Sequence, residues 1–337
     1  MRATRGQKFF IVGGAGFIGS HFTDHLMGEG GAAAVTLYDN FSSGREWHYA
    51  HHAKDARLRV VRGEVEDTEA LVAAMDGHDV VIHLASNPDI ARAAREPSID
   101  FTQGTVLSAS VVEAMRRTSA RRILYASGSG VYGDLGTLEA AEDHGPMLPV
   151  STYGASKLAG ENLIGSYAYM FGLSGCAFRF GNVVGPRQTH GVGFDFARRL
   201  LDAQRDSERS GAPIVLKILG DGKQSKSYVH VSDIVRAVLA AHEGTKKDFE
   251  PYNVATGDYI TVAEIARMVV EVLGVDPDRT EFEFSGTDRG WKGDVPVMRL
   301  NTERVRSLGW KNAMSTREAM RASLDSMLEE VRSGKLT

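Results

Sequence analysis

The sequence has little cysteine, little proline and no long apolar run. Its 337 residues include one cysteine, Cys176, and nine prolines. A single thiol cannot form a disulfide within the chain, which fits a reducing compartment. No stretch reaches the roughly 18 consecutive apolar residues that a membrane-spanning helix requires. These absences predict a cytoplasmic protein without a membrane partner.

The sequence also lacks an excess of basic residues. It carries 39 lysines and arginines against 43 aspartates and glutamates, a formal net charge of −4 at pH 7. Because nucleic-acid-binding proteins usually show a basic excess, we expect no nucleic-acid partner. The 42% of hydrophobic and 24% of charged residues are typical of soluble globular domains and exclude a chain that is disordered throughout.

Short apolar runs alternate with helix-like patterns through the first half of the chain. Strands are predicted at 8–12, 33–38, 58–62, 80–84, 122–126 and 175–180, and helices at 17–27, 105–117 and 153–171. Several of the strands are apolar throughout, which is typical of parallel strands with helices on both faces. We therefore predict an α/β fold built on a Rossmann-type, doubly wound parallel sheet.

The pattern becomes less regular after residue 185. It predicts a strand at 214–219 and helices at 195–204, 231–243, 262–273 and 315–331, which together indicate a smaller α/β domain. No Pro-, Gly- or Ser-rich linker separates the two halves. We therefore predict a Rossmann domain at 1–185 and a smaller domain at 186–337, packed closely enough to share one cleft and to exchange a strand or a helix.

A glycine loop lies between the first predicted strand and the first helix. Gly13, Gly16 and Gly19 form G-x-x-G-x-x-G, and Asp39 ends the next strand, 20 residues after Gly19. Glycines let the backbone approach a diphosphate, and a helix N-terminus favours its negative charge. The carboxylate can accept hydrogen bonds from a ribose diol and would repel a 2′-phosphate. The pattern therefore predicts NAD rather than NADP.

Further residues of the predicted NAD site lie in the same loop and after the later strands. Arg45 could favour NADP, although a solvated loop arginine is the simpler interpretation. Val65 can pack on the adenine. The other predicted cofactor residues are Phe17, Ile18, Asn40, Ser42, Ser43, Gly44, Glu64, Leu84, Ala85 and Ser86.

Tyr153 and Lys157 lie at the start of a predicted helix. They are four residues apart and so share one face of it. An ammonium near a phenol lowers the tyrosine pKa from about 10 toward working pH. Such a tyrosine can act as general base or acid for a substrate hydroxyl. Ser127 and Ser129, at the preceding Gly/Ser-rich strand end, are further catalytic candidates.

Eight motifs, taken in order, resemble the extended short-chain dehydrogenase/reductase family. They are GGAGFIGS, LYDNFSSG, HLASNPDI, SGSGVYG, STYGASK, RFGNVVGPR, GDGKQSKSYVHVSD and RGWKGDVPVM. Within the family they are most similar to the nucleotide-sugar epimerase/dehydratase group, and in that group to UDP-glucose 4-epimerases. The resemblance implies that NAD stays tightly bound and that Lys157 holds its nicotinamide ribose. It also implies that Tyr153 takes the proton of the sugar 4-hydroxyl while C4 gives hydride to NAD⁺, and that hydride returns to the other face of the keto intermediate.

The resemblance also implies which residues contact the nucleotide-sugar, with a UDP-hexose as the expected substrate. Asn182 matches a residue that contacts the sugar diphosphate. Lys226 stands where arginine is common, and lysine keeps the charge but loses the bidentate fork. Arg187, Arg289 and Lys292 are further phosphate candidates, and each could instead be a solvated surface charge.

Three positions depart from the family pattern. Val12 replaces a threonine, Phe101 replaces a common asparagine, and Gly128 stands where a catalytic serine or threonine is usual. The change at Gly128 interrupts the expected acid/base relay. Ser129, a water molecule or Tyr153 alone could compensate.

Two other functions stay open at this point. One is a nucleotide-sugar dehydratase or decarboxylase. Family dehydratases place an Asp-Glu pair after the catalytic threonine, whereas this chain has Ser129 and Gly130, which argues against dehydration. The other is a regulatory protein that binds NAD and has lost catalysis. Gly128 favours that function, whereas the intact Tyr153 and Lys157 argue against it.

A homodimer is also predicted. Helices 105–117 and 154–171 carry apolar stripes wider than one sheet face needs, and the resemblance implies that they pair with their copies as a four-helix bundle. No histidine spacing predicts a metal site. His51 and His52 are expected on a solvated helix or loop.

Overall fold

The computed structural model describes residues 4–87 and 89–335. Its strands, in chain order, are β1 (Lys8–Val12), β2 (Ala34–Asp39), β3 (Leu58–Arg62), β4 (Val80–His83), β5 (Arg122–Gly128), β6 (Glu139–Ala140), β7 (Ser174–Phe180), β8 (Asn182–Val184), β9 (Ile214–Ile218), β10 (Ser225–Lys226), β11 (Tyr228–His230), β12 (Phe249–Val254), β13 (Ile260–Thr261), β14 (Thr280–Phe284) and β15 (Arg299–Leu300). Its helices are α1 (Phe17–Met27), α2 (Thr68–Met75), α3 (Leu107–Arg117), α4 (Thr152–Phe171), α5 (Val192–Ser210), α6 (Val231–Gly244), α7 (Val262–Leu273), α8 (Glu303–Ser307) and α9 (Thr316–Arg332).

Seven parallel strands form the central sheet, in the order β12-β7-β5-β4-β1-β2-β3. Strand β1 shows why the sheet is covered on both sides. Phe9 and Ile11 pack with α1 and α6 on one face, and Phe10 and Val12 pack with α2, α3 and α4 on the other. All four side chains are fully buried, because successive residues of a strand point to opposite faces. The predicted Rossmann-type fold is confirmed.

The second half of the chain contributes to this sheet. Strand β12 pairs in parallel with β7, from Phe249 opposite Gly175 to Val254 opposite Phe180. Helix α6 packs on the same face of the sheet as α1. One strand and one helix from beyond residue 185 therefore complete the Rossmann layer. The division into 1–185 and 186–337 stays a prediction.

A second apolar core lies beside the sheet. The short parallel pair β9 and β14 packs with α5, α7 and α9, and this core buries Phe196, Leu216, Ile265 and Leu324. Across the part of the chain that the structure describes, no helix is long and apolar enough to cross a bilayer.

Candidate active site

The glycine loop joins β1 to α1 at the carboxyl edge of the sheet. Gly13 has a φ of +79°, a left-handed conformation that favours glycine. A Cβ at Gly13 would lie 2.8 Å from the backbone nitrogen of Ala85, and one at Gly19 would lie 2.7 Å from the carbonyl oxygen of Gly13. Gly16 is the N-cap of α1, and no side chain caps the helix. The loop therefore leaves the start of α1 open to an anion.

Asp39, the predicted ribose ligand, also forms hydrogen bonds with the backbone of this loop and of the segment after β2. Its buried carboxylate accepts hydrogen bonds from the backbone N–H of Ala15 at 2.9 Å and of Phe41 at 2.8 Å. Burial raises the pKa of Asp39. Each carboxylate oxygen has a second lone pair that can accept a ribose hydroxyl. Gly44 packs closely against this carboxylate, because a Cβ at Gly44 would lie 3.0 Å from Asp39 Oδ1.

The other predicted cofactor residues lie in segments at the same edge of the sheet. The backbone N–H groups of Leu84 and Ala85 donate to the carbonyl of Val12 at 2.9 and 3.1 Å, which fixes the loop after β4 to the end of β1. Asn40 donates to the Glu64 carboxylate at 2.9 Å and ties the loops after β2 and β3 together. The remaining predicted cofactor residues in these segments are Phe17 and Ile18 on α1, Ser42 and Ser43 after β2, Val65 after β3 and Ser86 after β4.

Helix α4 positions the predicted catalytic pair. Its N-cap, Ser151, accepts the backbone N–H of Gly154 at 3.1 Å. Lys157 is buried, and its Nζ lies 5.5 Å from the Tyr153 ring centroid. The same Nζ donates to the carbonyl of Ala126 at 2.8 Å, which anchors the ammonium to β5. The structure therefore brings the two side chains together beside the end of β5.

The pKa of Tyr153 differs from the expectation. Burial raises it to about 12, and a hydrogen bond with the Ser86 side chain opposes that change. Burial also lowers the pKa of Lys157 to about 8. The prediction that Lys157 brings the tyrosine pKa below its usual value is therefore wrong for the protein without ligands. The loss of solvent around the phenol outweighs an ammonium that is anchored to a backbone carbonyl.

Asp100 is a member of this site that the sequence did not predict. Its side chain is 1% exposed and accepts hydrogen bonds from Asn87 Nδ2 at 2.9 Å and Thr152 Oγ1 at 2.7 Å. Its negative charge raises the pKa of both Tyr153 and Lys157. The one sequence signal that pointed to Asp100 was Asn87, in the motif HLASNPDI, because a buried amide needs a hydrogen-bond partner.

Ser127 has a buried hydrogen-bond partner. It donates to Glu161 Oε1 at 2.5 Å, and Glu161 forms a buried ion pair with Arg179, N to O 2.7 Å. The Arg179 guanidinium also donates to Tyr132 Oη at 2.8 Å. The Ser127 hydroxyl is thus engaged in an internal network, and its catalytic role stays a prediction. Sequence analysis missed this network, whose members are far apart in the chain.

A space beside Tyr153 marks the position of Gly128. The Gly128 backbone is extended, with φ −158° and ψ 158°, a conformation that any residue adopts. A Cβ there would have one near neighbour, Tyr153 Cε1 at 3.9 Å. Ser129 follows in the 3-10 turn Ser129–Tyr132 and is half-buried. Nothing in the backbone therefore requires glycine at this position.

Three of the predicted substrate residues lie on and beside a loop near α4. Lys226 pairs with Asp294 at 2.5 Å, and Arg289 donates to the Asp294 carbonyl at 2.9 Å. Lys292 is exposed in the same loop. The loop reaches the start of the catalytic helix, since a Cβ at Gly293 would lie 3.2 Å from the Ser151 side chain.

Asn182, a fourth predicted substrate residue, is exposed at the start of β8. Its Nδ2 donates to the carbonyl of Ser227 at 3.4 Å, next to Lys226 in the chain. The Asn182 amide therefore contacts the residue that follows Lys226. A role for Asn182 at the diphosphate stays a prediction.

Arg187 is engaged within the protein. Its guanidinium forms an ion pair with Asp24 and donates to His21 Nδ1 at 3.1 Å and to the carbonyl of His48 at 2.8 Å. Its backbone N–H donates to Glu330 on α9 at 2.7 Å. The residue therefore connects α1 and the segment after β2 to the second half of the chain. Its contact with a substrate phosphate stays a prediction.

Comparison with known proteins agrees with this geometry. The chain matches the family described as NAD dependent epimerase/dehydratase over residues 9–255. It is 29% identical to a UDP-glucose 4-epimerase of Mycolicibacterium smegmatis over 95% of this chain and 98% of that protein. It is 30% identical to a dTDP-glucose 4,6-dehydratase of an Actinoplanes species over 86% of this chain and 89% of that protein.

A crystal structure of a UDP-galactose 4-epimerase has the same fold. It superposes with a TM-score of 0.79 at 34% sequence identity, covering 96% of this chain and 99% of that one. The family match covers the glycine loop, the Tyr153–Lys157 pair and β12. The chain is therefore a member of the NAD-dependent epimerase/dehydratase family, and NAD is its cofactor.

Proposed function

We propose that the protein interconverts the C4 epimers of a nucleotide-sugar, with a UDP-hexose as substrate. The observation that carries this proposal is the placement of Lys157 and Ser86 beside Tyr153, next to a strand end that carries no carboxylate. The segment 127–133 contains serine, glycine, valine and tyrosine but no carboxylate. The site can therefore move one hydroxyl proton, which is what epimerisation through a keto sugar requires of the protein.

The glycine loop and Asp39 suit the NAD diphosphate and ribose. Helix α1 begins at Gly16 without a side-chain cap, and the Asp39 carboxylate keeps lone pairs for a ribose hydroxyl. When bound, NAD supplies the hydride acceptor for C4 of the sugar. The buried Lys157 ammonium lies where it can hold the nicotinamide ribose. Its position is fixed by the carbonyl of Ala126, so the lysine needs no rearrangement to act.

Proton transfer is the task of Tyr153. Its phenolic oxygen would take the proton of the sugar 4-hydroxyl while C4 is oxidised, and would return that proton when C4 is reduced again. The Ser86 hydrogen bond opposes the pKa increase caused by burial and so favours the phenolate. The sugar diphosphate is assigned to Lys226, Arg289, Lys292 and Asn182, with Lys226 and Arg289 held in place by the loop around Asp294.

The alternatives receive less support. Elimination of water or loss of a carboxylate calls for a further acid or base, and Ser129 and Gly130 supply none. A regulatory protein without catalysis would not need Lys157 buried beside Tyr153, because burying an ammonium is costly. Turnover of UDP-, dTDP-, GDP- and CDP-sugars tests the proposal. A lower KM for the UDP-sugars is expected, and activity with another nucleotide alone would contradict the substrate class.

Gly128→Thr is expected to keep or raise kcat on UDP-glucose. The new hydroxyl would enter the space beside Tyr153, where a Cβ meets only Tyr153 Cε1 at 3.9 Å. Ser129→Ala is expected to lower kcat of the native enzyme, because Ser129 is the remaining hydroxyl at this strand end. Steady-state kinetics on UDP-glucose, UDP-N-acetylglucosamine and UDP-glucuronate measure both effects.

The matched control is Gly128→Val, which has the shape of threonine without its hydroxyl. If Gly128→Thr and Gly128→Val change kcat equally, the threonine hydroxyl does not contribute to turnover. If threonine abolishes turnover of a larger sugar and UDP-glucose is a poor substrate of the native enzyme, the space instead admits a bulkier substrate.

Asp100→Asn is expected to move the whole pH profile of kcat to lower pH. The Asp100 charge raises the pKa of Tyr153 and of Lys157, so its removal lowers both. The acidic limb, set by the phenolate, and the alkaline limb, set by the ammonium, then shift in the same direction. The control Thr152→Val removes one hydrogen bond to Asp100 and keeps the charge. If neither limb of the pH profile of kcat shifts in Asp100→Asn, Asp100 has only a structural role.

We further propose a homodimer through α3 and α4. Three consecutive side chains at the end of α4 are exposed apolar groups: Tyr169 at 91%, Met170 at 67% and Phe171 at 44%. An exposed apolar surface at the end of α4, which packs beside α3, suits a four-helix bundle. Light scattering at micromolar concentration is expected to show that the native protein is a dimer. The double variant Tyr169→Glu, Met170→Glu is expected to be a monomer. Leu148→Glu, at an exposed leucine outside α4, is the control, and a monomeric native protein would contradict the proposal.

A further inference from the structure

Two histidines and an aspartate converge on one point outside the active site. Asp24 lies on α1, and His51 and His52 lie in the 3-10 turn Ala50–His52. The Nε2 atoms of His51 and His52 face the same oxygen, Asp24 Oδ1, at 2.6 and 2.9 Å. We propose that this cluster binds a divalent zinc ion. The sequence did not predict it, because 27 residues separate Asp24 from His51.

The donor set suits zinc. Imidazole nitrogen and carboxylate oxygen are its usual ligands beside thiolate, at about 2.0–2.1 Å. Ligand atoms around a tetrahedral ion of that size are about 3.3 Å apart. The three donor atoms here lie within 4.8 Å of one another and are in part at hydrogen-bond distance. An ion therefore requires Asp24 Oδ1 to move away from His51 Nε2 by about 0.7 Å and from His52 Nε2 by about 0.4 Å. Water completes the fourth position.

Solvent reaches the cluster. The side chains of His51, Asp24 and His52 are 52%, 32% and 20% exposed. An ion can therefore enter and leave without opening the fold. Such a three-ligand site exchanges its metal, unlike a closed four-ligand structural site.

Arg187 supports the carboxylate and limits the affinity. It binds the other oxygen of Asp24, Oδ2, and so orients Oδ1 toward the two histidines. Partners of this kind fix ligand orientation in metal sites. The guanidinium charge also repels a divalent ion. We therefore expect a dissociation constant in the micromolar range, about 1–10 µM.

The ion would connect two segments that hold the dinucleotide loop. Helix α1 follows that loop directly. The turn Glu46–His48, next to the two histidines, contacts it, because His48 Nδ1 lies 2.8 Å from the carbonyl of Ala15 and the Arg45 N–H donates to the same oxygen at 3.1 Å. A zinc ion therefore crosslinks α1 to the segment after β2, and stabilises the folded protein by mass action.

Isothermal titration of Zn²⁺ into the tag-free, NAD-loaded protein tests the proposal. One equivalent is expected to bind, and affinity is expected to fall at least tenfold in His51→Ala and in His52→Ala. His144→Ala, at a histidine packed on Tyr132, controls for adventitious binding to a surface imidazole. Thermal unfolding gives a second measurement, in which Zn²⁺ raises the Tm of the native protein more than that of the His51→Ala, His52→Ala double variant.

Saturable binding of one equivalent that is lost in both histidine variants and kept in His144→Ala would support the zinc site. Absence of saturable binding below about 100 µM Zn²⁺ would overturn it. Unchanged binding in the double variant would also overturn it, since the ion would then lie elsewhere. None of these measurements depends on turnover, so they stand apart from the test of the proposed epimerase activity.

Discussion

Tyr153→Phe is expected to lower kcat by about 10² to 10⁴, the range for a lost general acid or base. The substitution removes the phenolic oxygen and leaves the ring against the buried Lys157. Since neither the glycine loop nor Asp39 contacts this oxygen, the NAD content of the purified protein is expected to stay unchanged. Single-turnover kinetics and the dinucleotide content of the denatured protein measure the two effects separately.

Tyr169→Phe is the matched control for this experiment. Tyr169 lies on the same helix and is 91% exposed, so the loss of its hydroxyl is expected to leave kcat unchanged. Turnover in Tyr153→Phe within a few-fold of the native rate would mean that another group moves the proton. Ser129 would then be the first residue to test.

Glu161→Leu is expected to reduce the free energy of unfolding by about 3–5 kcal/mol. Glu161 and Arg179 are each 3% exposed and form an ion pair at 2.7 Å. Removing the carboxylate leaves the Arg179 charge buried with Tyr132 and a backbone carbonyl as neutral partners, and leaves Ser127 without its acceptor. Urea unfolding followed by circular dichroism measures the change.

The double variant Glu161→Leu, Arg179→Met separates the charge from the packing. It removes both ions together, and the loss of stability is expected to be much smaller than in Glu161→Leu, because no unpaired charge remains. A loss below about 1 kcal/mol in the single variant would show that water or another side chain can replace the carboxylate.

The fold was largely predictable where local pattern and tertiary structure agree. The apolar strands of the central sheet and α1 were found within one or two residues, since burial on both faces leaves a continuous apolar run. Strand β12 was missed because FEPYNV contains a proline and a glutamate. It lies at the edge of the sheet, where proline is tolerated.

The site was predictable where a motif fixes a local geometry, and not where distant residues meet. The glycine loop with Asp39, and the i,i+4 pair on α4, follow from short spacings. The roles of Ser127 and Arg187 could not be derived from their motifs. Each is engaged by a partner far away in the chain, Glu161 for Ser127 and Asp24 for Arg187. For Asp100 the sequence offered only an indirect signal, the amide of Asn87 that donates to it.

The stereochemistry of the product tests the proposed reaction most directly. The NAD-loaded protein is incubated with UDP-glucose, and the sugar C4 proton is followed by ¹H NMR. Inversion at C4, to UDP-galactose, without a steady accumulation of reduced cofactor is the predicted result. Formation of a 4-keto-6-deoxy sugar, release of carbon dioxide from UDP-glucuronate, or no turnover of UDP-glucose, UDP-N-acetylglucosamine and UDP-glucuronate would contradict the assignment of a 4-epimerase.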